Sequence, residues 1–238
     1  MTIWINTIKQ GCSNSLACTD FNEYYQGAML KKVKSLNKIP VFYGYVIAFE
    51  ARNSWGLKDC NVGNPNLCHR GSEFIRVNHD RIIERYDHQS REIAQIIGRN
   101  YFSVFLIEPD FWQYYGDQSQ EGGVLSGSEM RSLFNDIVSA IKKNLPNAAI
   151  SWDISAWIGN DGMRKWWEYF KSSKDIDFIH TSGGESQGGS SEIKQRELTW
   201  KFVSDLTGKK IIADSGYGVG VGANGNIFFV NIQYYLKY

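Results

Sequence analysis

Short apolar runs and helical stripes alternate along this chain. The densest run, Tyr101-Phe102-Ser103-Val104-Phe105-Leu106-Ile107, is almost unbroken and stops at Glu108-Pro109-Asp110, followed by Phe111 and Trp112. Such a run, bounded by polar residues, predicts a strand buried on both faces. Pro109 has no N–H to give a ladder, so the strand stops there. Glu108 and Asp110 are thereby delivered to its carboxyl end. In α/β folds that is where ligands bind and chemistry is done.

Other runs predict further strands over Thr2–Asn6, Pro40–Phe49, Ala148–Asp153, Ile176–His180, Lys209–Asp214 and Ile227–Ile232. Helical spacing marks Asp20–Leu36, with Phe21, Tyr25, Met29, Leu30 and Val33 on one stripe. The strongest helical pattern is Ser72–Arg99, with Ser72 as the expected cap and Gly98 near the end. Ser128–Leu145, Asp161–Phe170 and Glu192–Leu206 follow. Strands separated by helices argue for a parallel sheet with right-handed crossovers. The expected fold is α/β: one distorted (β/α) barrel domain over residues 1–238, TIM-barrel-like, with about seven parallel strands.

On this pattern acids end four strands: Glu50 just past the second, Asp110 the third, Asp153 the fourth and Asp214 the sixth. If the sheet closes, those ends converge on one rim. The late run Gly216–Gly225 lacks the Lys-Ser/Thr of a nucleotide loop, and no Gly-x-Ser-x-Gly elbow is present.

Composition narrows the picture. The 238 residues carry a net charge of +1, without a basic run, so nothing points to an electrostatic nucleic-acid binder. No segment approaches the ~18 apolar residues of a membrane span. Aromatics are plentiful, with 8 Trp and 13 Tyr, and flat rings suit the apolar faces of sugars. Four cysteines fall in two close pairs, Cys12/Cys18 and Cys60/Cys68. Local pairing is the simplest of the three possible connectivities, and two disulfides imply an oxidising compartment, hence secretion. No signal peptide precedes Thr2, so a mature chain with an added Met is expected, with a native cytosolic start as the alternative. His79 and His88, nine apart on one helix, are read as structural rather than as metal ligands.

In this order the motifs resemble the family 6 glycoside hydrolases, the cellobiohydrolase and endoglucanase family. Thr2-Ile3-Trp4-Ile5-Asn6-Thr7 looks like its first strand, with Asn6 where the family usually has Asp. Leu106-Ile107-Glu108-Pro109-Asp110 is similar to the strand with the general-acid Asp. Ile150–Trp157 looks like the strand with a supporting Asp, here Asp153, and a nearby Trp. Ile212-Ala213-Asp214-Ser215-Gly216 looks like the strand whose Asp is a disputed base. The family's Asp-Cys pair after the second strand appears as Asp59-Cys60, displaced by an extra loop, while Glu50 stands at the expected strand end. The resemblance implies a distorted seven-stranded barrel and a divergent or neighbouring family.

The chemistry fits the residue types independently. Inverting hydrolysis of a glycosidic bond needs a carboxylic acid on the leaving oxygen and a carboxylate that activates water opposite it. Asp110 is the expected acid, with Glu108 as its brace. Asp214 or Asp59 is the expected base, and Glu50 and Asp153 are the other candidate catalytic carboxylates. Trp112, Trp157, Tyr43, Tyr45, Tyr114, Tyr217, His180 and Glu108 are the candidate sugar-contacting residues. The expected protein is a secreted monomeric polysaccharide or oligosaccharide hydrolase favouring β-glucan, without cofactor or metal and without nucleic-acid or membrane partners. Two alternatives remain: a carbohydrate-binding protein that has lost catalysis, and a metal-dependent hydrolase or deacetylase built on Asp153, His180 and Asp214.

Overall fold

A computed structural model describes residues 2–4, 27–116, 118–182, 191–193 and 198–212. Asn6, Cys12, Cys18, Asp214, Tyr217 and the expected strand at 227–232 lie outside the described residues. Among those described, six strands are β1 (Thr2–Trp4), β2 (Val41–Gly44), β3 (Ser103–Ile107), β4 (Ala148–Ser155), β5 (Phe178–Ser182) and β6 (Lys210–Ile212). They form one sheet in sequence order, every neighbouring pair parallel. The helices between them are α1 (Ala28–Ser35), α2 (Val46–Trp55), α3 (Leu67–Ile97), α4 (Gln113–Gly116), α5 (Gly127–Asn144), α6 (Asn160–Glu168) and α7 (Trp200–Thr207). Strands that follow one another across the sheet, each joined to the next through helix, give the α/β arrangement of a (β/α) barrel.

Both faces of the strands are covered, as the apolar runs predict. Phe42, Phe105, Ile107, Ile150, Trp152, Ile154 and Ile179 join the large core that contains the apolar sides of α3 and α5. The alternate residues Val41, Tyr43, Val104, Leu106, Ala149 and Ile212 form a second, smaller cluster. The period of two along each strand puts these sets on opposite faces of the sheet.

Several boundaries differ from the sequence expectation, the start of α7 at Trp200 rather than Glu192 among them. The run Pro40–Phe49 is not one strand: β2 ends at Gly44, and α2 starts at Val46. Its apolar residues Val46, Ile47, Ala48 and Ala51 are buried on the helix instead. A short apolar stretch satisfies either period, and here a distant partner decides, as described below. Gly56, at φ 66°, ends α2 in the left-handed conformation that glycine tolerates.

α3 starts at Leu67, earlier than expected. Asn66 caps it, its side chain accepting from the His69 N–H at 3.1 Å. Ser72 lies inside the helix, where its hydroxyl donates to the Tyr114 carbonyl at 2.9 Å. The 31-residue helix is kinked at Asn78 (φ −115°, ψ 19°), whose side-chain amide donates to the Phe74 carbonyl at 2.9 Å. β4 and β5 run two residues further than expected, to Ser155 and Ser182, so Asp153 and His180 sit within ladders rather than at strand tips.

Candidate functional site

The site is built around the turn that ends β3. Glu108 (φ 43°) and Asp110 (φ 59°) flank Pro109, both in the left-handed region that side-chain-bearing residues seldom occupy. Two contacts hold this turn. The Glu108 N–H donates to the Gly44 carbonyl at the end of β2, at 2.7 Å. The Phe111 N–H donates to Asp153 Oδ2 on β4, at 3.3 Å. Asp110 is thus pinned from both neighbouring strands, half-buried, with the Tyr45 hydroxyl 3.5 Å from its Oδ2.

Glu108 is fully buried. Its Oε1 accepts from the Val46 and Ile47 N–H groups at 2.9 and 3.1 Å and from the Tyr86 hydroxyl at 2.6 Å. Burial pushes its carboxyl up to about 8, against the opposing pull of those three hydrogen bonds. Glu108 also answers why α2 starts where it does. It supplies an acceptor for two N–H groups of the first turn, donors that a helix start leaves without intrahelical partners.

Burial, and then the charges of Asp110, Tyr114, Asp59 and Glu108, hold the Tyr45 proton well above the usual phenol range. Tyr114 is pushed up in the same way, by burial and then by Glu108, with Asp110 and Asp59 contributing. Both phenols therefore feel the three carboxylates Glu108, Asp110 and Asp59 together. Asp59 reaches this neighbourhood directly before the loop closed by the Cys60–Cys68 disulfide. That loop rests on α4, with Cys60 Sγ 3.0 Å from Gln113 Oε1. Asp59 itself is exposed and ion-paired with Arg52.

On the sheet interior, Asp153 and His180 face each other as a registered pair across β4 and β5, both fully buried. His180 Nε2 lies 3.6 Å from Asp153 Oδ1, and its Nδ1 lies 3.1 Å from the Ser151 hydroxyl. Burial depresses the imidazole to about 3, so it is neutral near neutral pH. The ring meets Tyr43 edge-on at 6.0 Å. Among the described residues no group of three His, Cys, Asp or Glu side chains stands together as a metal set. Asp214, the third member of the expected metal set, lies outside the described residues.

The placement of Glu50 departs from expectation. It is on α2, buried, and does not end a strand. Its oxygens lie 2.9 Å from Arg81 Nε and 3.0 Å from Arg85 Nε, both on α3. It serves as a helix–helix tie, because the run before it is helical and turns the acid toward α3.

The aromatic residues divide by burial. Tyr43 and Tyr114 are packed side chains, at 3% and 0% exposure. Trp157, just past β4, is 44% exposed and Trp112 is half-buried, its ring lying over Gly116. Both keep solvent-exposed surface that an apolar ligand can cover. Three residues of the site were not singled out by sequence: Tyr86, Arg52 and Gln113. Tyr86 lies on the apolar stripe of α3, where a phenol that caps a carboxylate reads the same as a core ring.

No protein-family model matches the chain, and no curated protein matches it. Solved structures do. The Cellulomonas fimi endo-beta-1,4-mannanase double mutant superposes with a TM-score of 0.55 at 16% identity, over 88% of this chain and 46% of its own. GH26C from Muricauda sp. gives 0.57 at 17% identity, over 96% of this chain and 63% of that one. The Bacillus subtilis mannanase BCman gives 0.54 at 11% identity, over 93% and 62%. The chain therefore spans less than two thirds of the length of these proteins. It shares their fold, an α/β sheet that glycoside hydrolases use.

Proposed function

We propose that this chain is a glycoside hydrolase acting on a polysaccharide or oligosaccharide, with Asp110 as proton donor to the leaving oxygen. The observation that carries the reading is the geometry of Asp110. A half-buried carboxyl is held at a costly backbone angle by contacts from two strands, at the carboxyl end of a parallel sheet. The likeness in fold to proteins named as mannanases supports the same class, and the Glu-Pro-Asp and Trp-Asp motifs support a family 6-like site. An inverting route uses water activated by Asp59 or Asp214. Trp112, Trp157 and Tyr45 are the sugar contacts. β-Glucans are the favoured substrates, with mannan beside them on the strength of the fold likeness. The Cys60–Cys68 disulfide supports secretion.

The test is release of reducing ends from β-1,4-, β-1,3- and mixed-linkage glucans, mannan and chitosan. Wild type is expected to be active on at least one of them, and Asp110→Asn to lose at least ~100-fold in kcat. Comparable turnover by Asp110→Asn removes Asp110 from the donor role. A second reading, glycan binding without hydrolysis, draws on the pairing of Asp59 with Arg52, which occupies one of the two base candidates. Binding to a glycan column without product after long incubation would favour it.

A further inference from the structure

Glu108 has no task in the reaction proposed above, although it is fully buried two residues from Asp110. Its contacts form a closed circuit. Oε1 takes the N–H groups of Val46 and Ile47, the first two residues of α2. Tyr45 has no side-chain cap bond to offer that helix, so the acceptor comes from another element. Val46 directly follows Tyr45, and the Tyr45 hydroxyl lies 3.5 Å from Asp110 Oδ2. The circuit runs from Asp110 to the Tyr45 phenol, along the backbone to Val46, across to Glu108 and back through Pro109. Tyr86 braces it from α3 at 2.6 Å. Gly44 makes room for that ring, since a Cβ there would stand 2.8 Å from the Tyr86 hydroxyl oxygen.

We propose that Glu108 is a positioning residue: by holding the first turn of α2 it fixes Tyr45 against Asp110 and so sets the direction in which the Asp110 carboxyl points. A side chain at a strand–helix junction moves with the first helical turn, and an unheld first turn frays. A misplacement of about 1 Å costs on the order of 100-fold in a reaction that depends on aligned groups. Glu108, not Tyr45 alone, then determines whether the phenol meets the carboxyl. Burial keeps Glu108 mostly protonated near neutral pH, so glutamine is its nearest replacement, with an amide oxygen in place of Oε1. The structural claim stands by itself; its kinetic consequence rests on the hydrolase reading.

The experiment separates the two. The protein is labelled with 3-fluorotyrosine, the Tyr45 signal is assigned by its loss in Tyr45→Phe, and its response to Asp110→Asn is measured by fluorine NMR in three backgrounds. In the wild-type background Asp110→Asn is expected to move the Tyr45 signal. In Glu108→Gln the response is retained, and in Glu108→Ala it falls by at least about half, as coupled neighbours require. If Glu108→Ala does not fold, Tyr86→Phe, which removes the shortest of the three bonds, is expected to give a partial loss. No response in wild type, or an undiminished response in Glu108→Ala or its Tyr86→Phe substitute, overturns the proposal. In the kinetic arm, Glu108→Ala lowers kcat about tenfold with KM within about twofold, and adding Tyr45→Phe lowers it little further. Additive losses overturn the proposal. A wild type inactive on every glycan overturns the hydrolase reading alone, because the fluorine arm still decides the role of Glu108.

Discussion

Replacing Glu108 by glutamine should flatten a specific part of the stability–pH curve. Burial raises the Glu108 carboxyl from 4.5 to about 8, so the folded protein binds this proton more tightly than the unfolded chain. The stability it contributes is complete below the unfolded value and is lost as pH rises through the folded one. The full span is worth about 4–5 kcal/mol at ~1.4 kcal/mol per unit. His180 works in the opposite sense. Burial lowers it from 6.5 to about 3, so its contribution is present above 6.5 and lost as pH falls toward 3. Below 6.5 the two slopes oppose each other and partly cancel. Between 6.5 and 8 the Glu108 slope stands clear of His180, and amounts to about 2 kcal/mol. Tyr45, Tyr86 and Tyr114 around Glu108 are all pushed above the phenol range and stay neutral through that window. Urea unfolding followed by Trp fluorescence at pH 6.5, 7, 7.5 and 8 reads the difference. Wild type should lose about 2 kcal/mol more than Glu108→Gln over this interval. Curves that run parallel within about 0.5 kcal/mol would refute a proton held by burial at Glu108.

Two further outcomes follow from the same contacts. Glu50→Gln leaves the almost fully buried Arg85 guanidinium without its charge partner, and should destabilise by about 3–5 kcal/mol in urea or thermal unfolding. Cys60→Ser with Cys68→Ser opens a loop whose ends are eight residues apart. It should cost about 2.5 kcal/mol in the same unfolding assay.

The fold was legible where breaker and turn residues bounded an apolar run. β3 and β4 were visible in this way, and so was the turn at Pro109. The junction of β2 and α2 was not. Val46 to Ala51 fits either period, and the group that starts the helix, Glu108, lies 62 residues away from Val46. Once α2 is helical, Glu50 turns from a strand-end acid into a partner for Arg81 and Arg85. Sequence proximity to an apolar run was thus a poor guide to its role. Asp153 was expected as a support for Asp110; the bond it makes to this turn is to the Phe111 backbone rather than to the carboxyl. No side-chain pattern advertises such a contact. Asp59 was singled out through a displaced dipeptide and as a candidate base. Its loop lies against α4 because a disulfide and Gln113 bring it there, and the spacing of residues does not encode that approach.

The backbone angles at Glu108 and Asp110 place these two positions in conflict with the fold that carries them. A left-handed conformation at a residue with a side chain costs on the order of 1 kcal/mol, which glycine would not incur. Selection for stability alone would drift Asp110 toward glycine or asparagine, and Asp110→Gly should raise the melting temperature, by a degree or more. With Asp110 as the proposed proton donor, that substitution would improve the scaffold while abolishing turnover, a signature of a residue kept for use. A deep mutational scan read twice, once for folding yield and once for glycan turnover, would show the two scores diverging most at this turn.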